Sequence, residues 1–343
     1  MHIVRPVRRD DLKQLFALSS LARAGLTTFP HNQRILKKRI EDSVHDFQRG
    51  AVRPDGETYF FLMEEIDSGK LVGTCAIIAK IGGYHPSYTY QIKTAHNRSR
   101  VLGVKKDIQY LELKKEYNGP TEIGTLFLHP QARTKGLGRM LSLSRFLFLA
   151  QHPKMFENFV IAELRGILDK NDHSPFWNAV CKHFFEVEFR KADLMSMEDK
   201  TFIAELIPQH PIYIPILPQA AQQAIGQVHK NTEPARRLLE QENFRFIDEI
   251  DIFEAGPVVG CRLRNIRTVR DSRMAVVRDI VPAVMRKREY LIARVGQIHE
   301  FRVTCGTVIH TQAGITLTRD TARVLNVQKG DRVRIAPLYG KRT

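Results

Sequence analysis

The stretch from Ile123 to Leu149 restricts the fold of this 343-residue chain more than any other segment. Apolar residues alternate through Ile123–Leu128 as in a half-buried strand, and a helix with a buried apolar stripe is predicted to begin near Leu137. The motif Arg-x-x-Gly-x-Gly, from Arg133 to Gly138, lies directly between them. Such a strand, turn and helix predict an α/β fold with an anion site, because glycines allow close backbone approach and a helix N-terminus attracts negative charge.

Three cations, Arg133, Lys135 and Arg139, add positive charge to this turn. The glycine pair alone is equally compatible with a tight turn that binds nothing. It also differs from the dinucleotide fingerprint, which follows the first strand of a unit and carries a downstream acidic residue for the ribose. The turn alone therefore indicates at most an anionic nucleotide, with Gly136 and Gly138 as its backbone contacts.

The N-terminal part of the chain predicts the element order β-α-α-β-β. A short strand is expected at Ile3–Val7, and a helix follows Asp10 and Asp11. Apolar residues at helical spacing between 35 and 47 predict a second helix. Tyr59–Met63 and Leu71–Ile81 are separated by a turn sequence and predict a β-hairpin. Together with the strand and helix above, these elements predict a mixed sheet flanked by helices.

The C-terminal part is β-rich and strongly basic. Four predicted strands and one helix lie at Leu291–Val295, Glu300–Val303, Val308–His310, Thr321–Leu325 (the helix) and Val333–Pro337. They predict a small barrel-like or mixed lobe. We assign no strand to the polar, Tyr- and Lys-rich stretch 82–115. Changes in periodicity divide the chain into residues 1–190, a second segment 191–257 that completes the site, and the lobe 258–343.

The charge of the chain is strongly positive, with 53 Lys and Arg against 37 Asp and Glu and a formal net charge of +16. This balance suits anionic partners, including nucleic acid. However, Tyr290 is the aromatic residue close to the main basic stretch, whereas single-stranded nucleic acids are usually bound on several stacking platforms. We therefore do not expect nucleic acid to be the partner.

The sequence also bears on compartment and metal binding. No stretch approaches the roughly twenty apolar residues of a membrane span, and the chain starts at Met1–Pro6 without the apolar region of a signal peptide. We expect a cytoplasmic protein without membrane association. The cysteines Cys75, Cys181, Cys261 and Cys305 have no metal or redox spacing, so buried free thiols are expected. No metal site is expected either, since the histidines show no His-Glu-x-x-His pattern.

The strand, Pro130 and the spacing to Arg133 resemble the coenzyme A signature of the GNAT acetyltransferase superfamily. Further blocks, in this order, resemble the arginine N-succinyltransferase family over nearly the whole chain. They are Gly25–Pro30, Thr125–Leu128, Ser144–Phe148, Ala162–Gly166, Ser174–Trp177, Phe202–Tyr213, Gly226–His229, Thr232–Arg236 and Asp251–Pro257. Each block is short, but their common order and spacing are far more specific than the glycine turn.

The resemblance implies transfer of succinyl from succinyl-CoA to the α-amine of L-arginine, the opening step of a bacterial arginine degradation route, with ornithine as a possible second substrate. It also implies that main-chain N–H groups at Leu126 hold the thioester carbonyl and that His229 is the proton donor. A cytoplasmic homo-oligomer, specifically a dimer, is expected.

The position of His229 agrees with this role. A loop histidine is more often structural or solvent-facing, but here Thr232 is a plausible N-cap and Pro234 suits the first helical turn. His229 should thus lie just before a helix, whose positive N-terminus favours the neutral imidazole.

Recognition of arginine requires carboxylates for the guanidinium group and a cation for the α-carboxylate. Glu163 and Arg165 are the candidates, although two residues apart on a predicted strand they could simply pair with each other. The distal carboxylate of the succinyl group also needs a cation. Arg145 is the candidate, with a surface ion pair as the alternative.

Three positions depart from the family pattern. Leu143 stands where Lys is expected, Lys230 where Pro is usual, and Asn243 where Gly is common. Asn243 should tolerate a left-handed conformation, whereas Leu143 could alter the cofactor side of the pocket. An acyltransferase with another donor or amine, or a basic binding module with an inactive site, therefore stays open as an alternative.

Overall fold

The computed structural model describes residues 1–22, 26, 28–133, 136–169, 173–196, 199–283 and 289–340. Within these ranges, no helix is both long and apolar enough to cross a membrane. The described strands join into one sheet.

The N-terminal elements confirm the predicted β-α-α-β-β order. They are β1 His2–Pro6, α1 Leu12–Ser19, α2 Gln33–Arg49, β2 Thr58–Glu65 and β3 Lys70–Ile78. The Asn32 side chain accepts a hydrogen bond from the Ile35 N–H and begins α2, and left-handed Gly50 ends it. Leu36 and Ile40 of α2 pack in one hydrophobic cluster with Phe60 of β2, while Phe47 near the end of α2 packs in the main core with Tyr59.

The stretch without predicted strands forms two long antiparallel ones, β4 Gly82–Ser99 and β5 Val104–Asn118. Tyr88, Tyr90 and Leu111 are buried on one side of this hairpin, and charged residues cover much of the rest. The high proportion of Lys and Glu made the stretch look uniformly polar, although Tyr88 and Tyr90, two positions apart, are buried. The missing strand assignment was therefore wrong.

The segment that restricted the fold most is confirmed as a strand, a turn and a helix. It comprises β6 Thr121–Leu128 and α3 Leu137–Gln151, followed by β7 Phe159–Glu163. β6 pairs with β7 in parallel at Thr121 and Glu122. Met140 to Leu149 of α3 are all buried, so this helix is the centre of the main hydrophobic core.

The middle of the chain forms short helices over the β4, β5 and β9 side of the sheet. These elements are α4 Pro175–Ala179, α5 Lys182–Phe185, α6 Phe189–Met195, α7 Thr201–Leu206, β8 Ile212–Tyr213, α8 Gln219–Ala224, α9 Glu233–Gln241, β9 Arg245–Asp251 and β10 Pro257–Arg262. Trp177 is fully buried here and contacts the rings of Phe185, Phe189 and Phe253. This second core holds α6 and the β9–β10 turn in place beside the main one.

The C-terminal elements form a closed ring of strands, as the barrel-like prediction expected. They are α10 Arg267–Asp271, β11 Arg273–Val281, β12 Glu289–Arg294, β13 Val303–Thr311, β14 Gly314–Thr318, α11 Arg319–Leu325 and β15 Arg332–Pro337. Pairing of β12 with both β13 and β15 closes the ring, and β13 joins β1 through Val4 and Val303. The strand predicted at Glu300–Val303 is wrong, because a 3-10 turn occupies Ile298–Glu300 and β13 begins at Val303. The division at residues 190 and 257 stays a prediction.

With all the described strands in place, their order in the sheet is β12-β15-β11-β14-β13-β1-β2-β3-β6-β7-β10-β9-β4-β5-β8.

Candidate active site

The parallel strands β6 and β7 separate after Glu122, and a bulge in β6 lies at the point of separation. Gly124 and Phe127 of β6 are three residues apart, but their partners Ala76 and Thr74 on β3 are only two apart. Thr125 accommodates the extra residue in the left-handed region, at φ 53°. The bulge turns the backbone of Gly124–Leu126 towards a cavity.

This cavity has a volume of about 220 Å³. Four residues proposed from the sequence line it, namely Leu126, Arg145, Glu163 and Arg165. Its wall also includes Glu122, Thr125, Asp193, Asn231, Thr232, Asp251 and Glu254. The structure thus brings the thioester strand and the proposed acceptor residues into one space.

Carboxylates dominate the charge of the cavity. Burial raises the pKa of Asp193 to about 7 and that of Glu254 to about 8. It also raises the pKa of Glu122 and Asp251, and it raises that of Glu163 well above its usual range. The Glu163 side chain is accessible from the cavity, yet protein atoms surround it, which is why its charged form is disfavoured. A cation entering the cavity would favour the ionised form of these groups.

Arg165 does not pair with Glu163, and it does not lie on a strand. Because β7 ends at Glu163, the two side chains do not share a strand face as predicted. Arg165 instead forms an ion pair with Glu254 at 3.4 Å. Glu254 also accepts a 2.9 Å hydrogen bond from the Gly166 N–H, which ties the segment after β7 to the β9–β10 turn.

Two glycines allow these segments to cross at backbone distance. A Cβ atom on Gly256 would lie 1.9 Å from the Leu164 carbonyl oxygen, and one on Gly166 would lie 2.1 Å from that of Glu254. Asp251 stabilises the same turn by accepting hydrogen bonds from the N–H groups of Phe253 and Glu254. The crossing positions Arg165 and Glu254 on one wall of the cavity.

His229 is fixed to this crossing through its backbone, since its N–H donates to the Arg165 carbonyl oxygen at 2.9 Å. Its Nδ1 accepts a 3.1 Å hydrogen bond from the Asn231 N–H, so the proton of the neutral ring is on Nε2. The helix predicted after it is confirmed as α9, with Thr232 at the N-cap position but without a side-chain capping bond. Asn231 and Thr232 line the cavity, although the described wall does not include His229 itself.

The glycine turn lies outside the described cavity wall. Gly136 begins α3 with φ 87°, and no side chain of the described residues caps the helix. Gly138 lies in the first turn, whose N–H groups are therefore available to an anion. Arg133 Nε donates to the Leu128 carbonyl oxygen at 3.1 Å, which holds this cation at the end of β6. Lys135 lies outside the described residues.

The barrel reaches this turn through Tyr339. The Tyr339 hydroxyl lies 3.5 Å from the Cβ position of Gly136, and the Arg139 guanidinium lies 5.0 Å from the centre of the Tyr339 ring. The basic C-terminal lobe therefore contributes directly to the surroundings of the proposed phosphate site.

Two departures from the family pattern now have a structural explanation. Asn243 has φ 72°, the left-handed conformation that Asn was expected to tolerate in place of Gly. Leu143 is completely buried in the main core and is absent from the described cavity wall, so it contacts core side chains. Lys230 is exposed.

Cys75, Cys181 and Cys261 are buried free thiols as predicted, and free Cys305 is partly buried.

Comparison with known proteins assigns the family. The family model for the arginine N-succinyltransferase beta subunit matches residues 2–268, and the model for its C-terminal domain matches residues 273–337. The chain belongs to the arginine N-succinyltransferase family. An arginine N-succinyltransferase of Escherichia coli strain 55989 is 39% identical over 339 residues, which cover 98% of each chain. The arginine N-succinyltransferase of strain 536 is equally similar, at 39% identity over 339 residues.

A solved structure of this family has the same fold throughout. Subunit AI of arginine/ornithine succinyltransferase from Pseudomonas aeruginosa superimposes with a TM-score of 0.90 at 30% identity, covering 99% of each chain. The predicted family and fold class are confirmed, and the chain is an acyltransferase.

Sequence reasoning missed several carboxylates of this arginine N-succinyltransferase-family site. Asp251 and Glu254 belong to a block that carried the family resemblance, but nothing local indicated that both line the cavity or that Glu254 pairs with Arg165. Asp193 on α6 and Glu122 on β6 had no distinguishing signal. Within the described ranges, His, Cys, Asp and Glu residues form no group suited to a metal ion.

Proposed function

We propose that this chain transfers the succinyl group of succinyl-CoA to the α-amine of L-arginine. The observation that carries the proposal is the single cavity in which the bulged edge of β6 meets a cluster of carboxylates. The names of the relatives and the solved structure agree with this reaction. A cytoplasmic location and a homodimer stay predictions from the family resemblance.

The acyl donor fits the cleft between β6 and β7. Its pyrophosphate would bind at the N-terminus of α3, where Gly136 and Gly138 permit close backbone approach. The thioester carbonyl would then lie at the bulge, with the Leu126 N–H polarising its oxygen. Backbone donors at a bulge suit this step because they are already oriented before charge develops on the oxygen.

The acceptor fits the acidic wall. Asp193 and Glu254 would pair with the planar guanidinium, and Arg165 would bind the α-carboxylate. The neutral α-amine attacks the thioester, the C–N bond forms and the C–S bond breaks. His229 Nε2–H is the proposed proton donor to the leaving sulfur, and the proton that the amine loses returns to Nε2 in the same relay. The imidazole is therefore neutral before and after the transfer, and the thiol gains the one proton that the amine gives up.

The reaction is tested by thiol release. Purified protein given succinyl-CoA and L-arginine should release free thiol and form N-succinylarginine, both of which can be quantified. Acetyl-CoA in the same assay compares the donors, and ornithine and lysine compare the acceptors. If no thiol appears with any of these amines, the enzymatic function is wrong and a binding module with an inactive site becomes the better hypothesis.

Arginine should bind more tightly as the pH rises. The carboxyl groups of Asp193 and Glu254, with pKa values of about 7 and 8, are mostly protonated at pH 6, whereas a guanidinium pairs with their ionised forms. Binding therefore releases protons, and the dissociation constant should fall about tenfold or more between pH 6 and pH 8.5. Calorimetry with free coenzyme A present, in buffers of different ionisation enthalpy, measures both quantities.

The matched variant is Asp193→Asn, which keeps the shape and removes the charge. It should bind arginine more weakly at pH 8.5 and show a smaller pH dependence, with coenzyme A affinity unchanged. Tighter binding at pH 6 than at pH 8.5 would contradict the role of these carboxylates.

A further inference from the structure

Arg145 is a fully buried cation without a carboxylate partner among the described residues. Its side chain lies on α3 and only 2% of the residue is exposed. Nε donates to the Ser142 carbonyl oxygen at 3.1 Å, Nη2 to the Ser142 hydroxyl at 3.0 Å, and Nη1 to the Gly124 carbonyl oxygen at 3.3 Å. These are neutral acceptors, so the positive charge is held in place but not neutralised.

The other two buried arginines of the described chain are each neutralised. Arg5 pairs with Asp11 and Glu64, and Arg267 pairs with Glu242. An unpaired buried charge is strongly unfavourable, and proteins normally compensate it with a counterion. Arg145 is thus an exception that a ligand can explain.

Cys75, the ionisable group with an electrostatic effect on Arg145, does not supply the counterion. Burial raises the pKa of the Cys75 thiol to about 11, so the sulfur is uncharged near neutral pH. Burial also lowers the pKa of Arg145 itself, because a site away from water disfavours the charged guanidinium.

The guanidinium also lies where an acyl chain would end. Arg145 lines the cavity and contacts Gly124, two residues before Leu126 in β6. Two residues of regular strand span about 7 Å, and the left-handed Thr125 between Gly124 and Leu126 makes this an upper limit. A four-carbon succinyl chain reaches about 4 Å, and a hydrogen bond adds about 3 Å. The distal carboxylate of an acyl group held at Leu126 can therefore reach the guanidinium.

The donors of Arg145 are not exhausted. An arginine side chain has five N–H donors, and the three contacts above use one on each nitrogen. One N–H remains on each terminal nitrogen, the arrangement that binds the two oxygens of a carboxylate.

We propose that Arg145 binds the distal carboxylate of the succinyl group and thereby selects succinyl-CoA over donors with an uncharged acyl group. This inference rests on the proposed function. It assigns recognition of the distal carboxylate, the group that distinguishes succinyl from uncharged acyl groups, to one side chain. Arg145 is therefore a specificity-determining residue. Its hydrogen bond to Gly124 also couples this recognition to the bulge that holds the thioester.

The test compares succinyl-CoA with butyryl-CoA, in which a methyl group replaces the carboxylate. The wild-type enzyme should show a kcat/KM at least about 10³-fold higher for succinyl-CoA, because a site built around an unpaired charge rejects a ligand that lacks the partner. Arg145→Met should reduce this ratio at least about 10²-fold, mainly by losing activity with succinyl-CoA. Arg145→Lys, which keeps the charge without the planar fork, should lie between the two.

The ratio of the two donors does not depend on the folded fraction, so it separates recognition from stability. Arg5→Met is the matched control, because it removes another buried arginine and should leave the ratio unchanged. An equal loss with both donors in Arg145→Met would show a purely structural role and overturn the proposal. A wild-type enzyme that uses both donors equally would overturn it without any variant. If the wild-type enzyme releases no thiol from succinyl-CoA with arginine, the proposed function fails instead.

Discussion

Replacing His229 with alanine is expected to lower kcat by about 10²–10⁴-fold while leaving the affinity for coenzyme A unchanged. The imidazole has its proton on Nε2, because Nδ1 accepts the hydrogen bond from the Asn231 N–H. The variant loses the proposed proton donor to the leaving sulfur, whereas the glycine turn at α3 stays intact. Steady-state thiol release and coenzyme A titration measure the two quantities.

His229→Asn distinguishes chemistry from structure. An asparagine carbonyl oxygen can occupy the position of Nδ1 and keep the bond from the Asn231 N–H, but it cannot deliver a proton. Catalysis should therefore stay low in His229→Asn. Recovery of most of the rate in this variant would show that His229 only stabilises the turn before α9, and it would remove His229 from the mechanism.

Local sequence patterns predicted the elements whose conformation depends mainly on residues close to them along the chain. The alternation in β6, the glycines at the start of α3 and the helix that follows them all depend on neighbouring residues, and the structure confirms them. The structure buries α3 on all sides from Met140 to Leu149 and not on one stripe, because the helix lies in the main core. The bulge at Thr125 was not predictable in this way. It depends on the pairing of β6 with β3, which the sequence of β6 does not contain.

The acidic wall of the cavity could not be predicted from local sequence either. Asp193 lies on α6 and Glu254 in the turn after β9, and they meet only because the second core packs α6 against that part of the sheet. Arg165 was correctly associated with the site but assigned the wrong partner, since its strand was predicted two residues too long. Family resemblance indicated His229, whereas tertiary structure was needed to relate it to Arg165.

Gly256→Ala is expected to destabilise the protein by about 4 kcal/mol or more, or to prevent folding. The added Cβ would lie 1.9 Å from the Leu164 carbonyl oxygen and 2.6 Å from the Gly166 nitrogen. Both contacts involve backbone atoms, so the strain cannot be relieved by a side-chain rotation. Urea unfolding followed by circular dichroism measures the free energy of unfolding.

Gly69→Ala is the control for this prediction, because Gly69 has φ 66° but no atom within 4 Å of its Cβ position. Conformational strain alone should cost about 1–2 kcal/mol there. Gly256 has no positive φ, so any cost of Gly256→Ala above that of Gly69→Ala comes from the backbone crossing. Any folded Gly256→Ala protein should bind arginine poorly, because the segments that carry Arg165 and Glu254 must separate to admit the methyl group. Equal unfolding free energies for the two variants would mean that the crossing is adaptable and does not fix the acceptor wall.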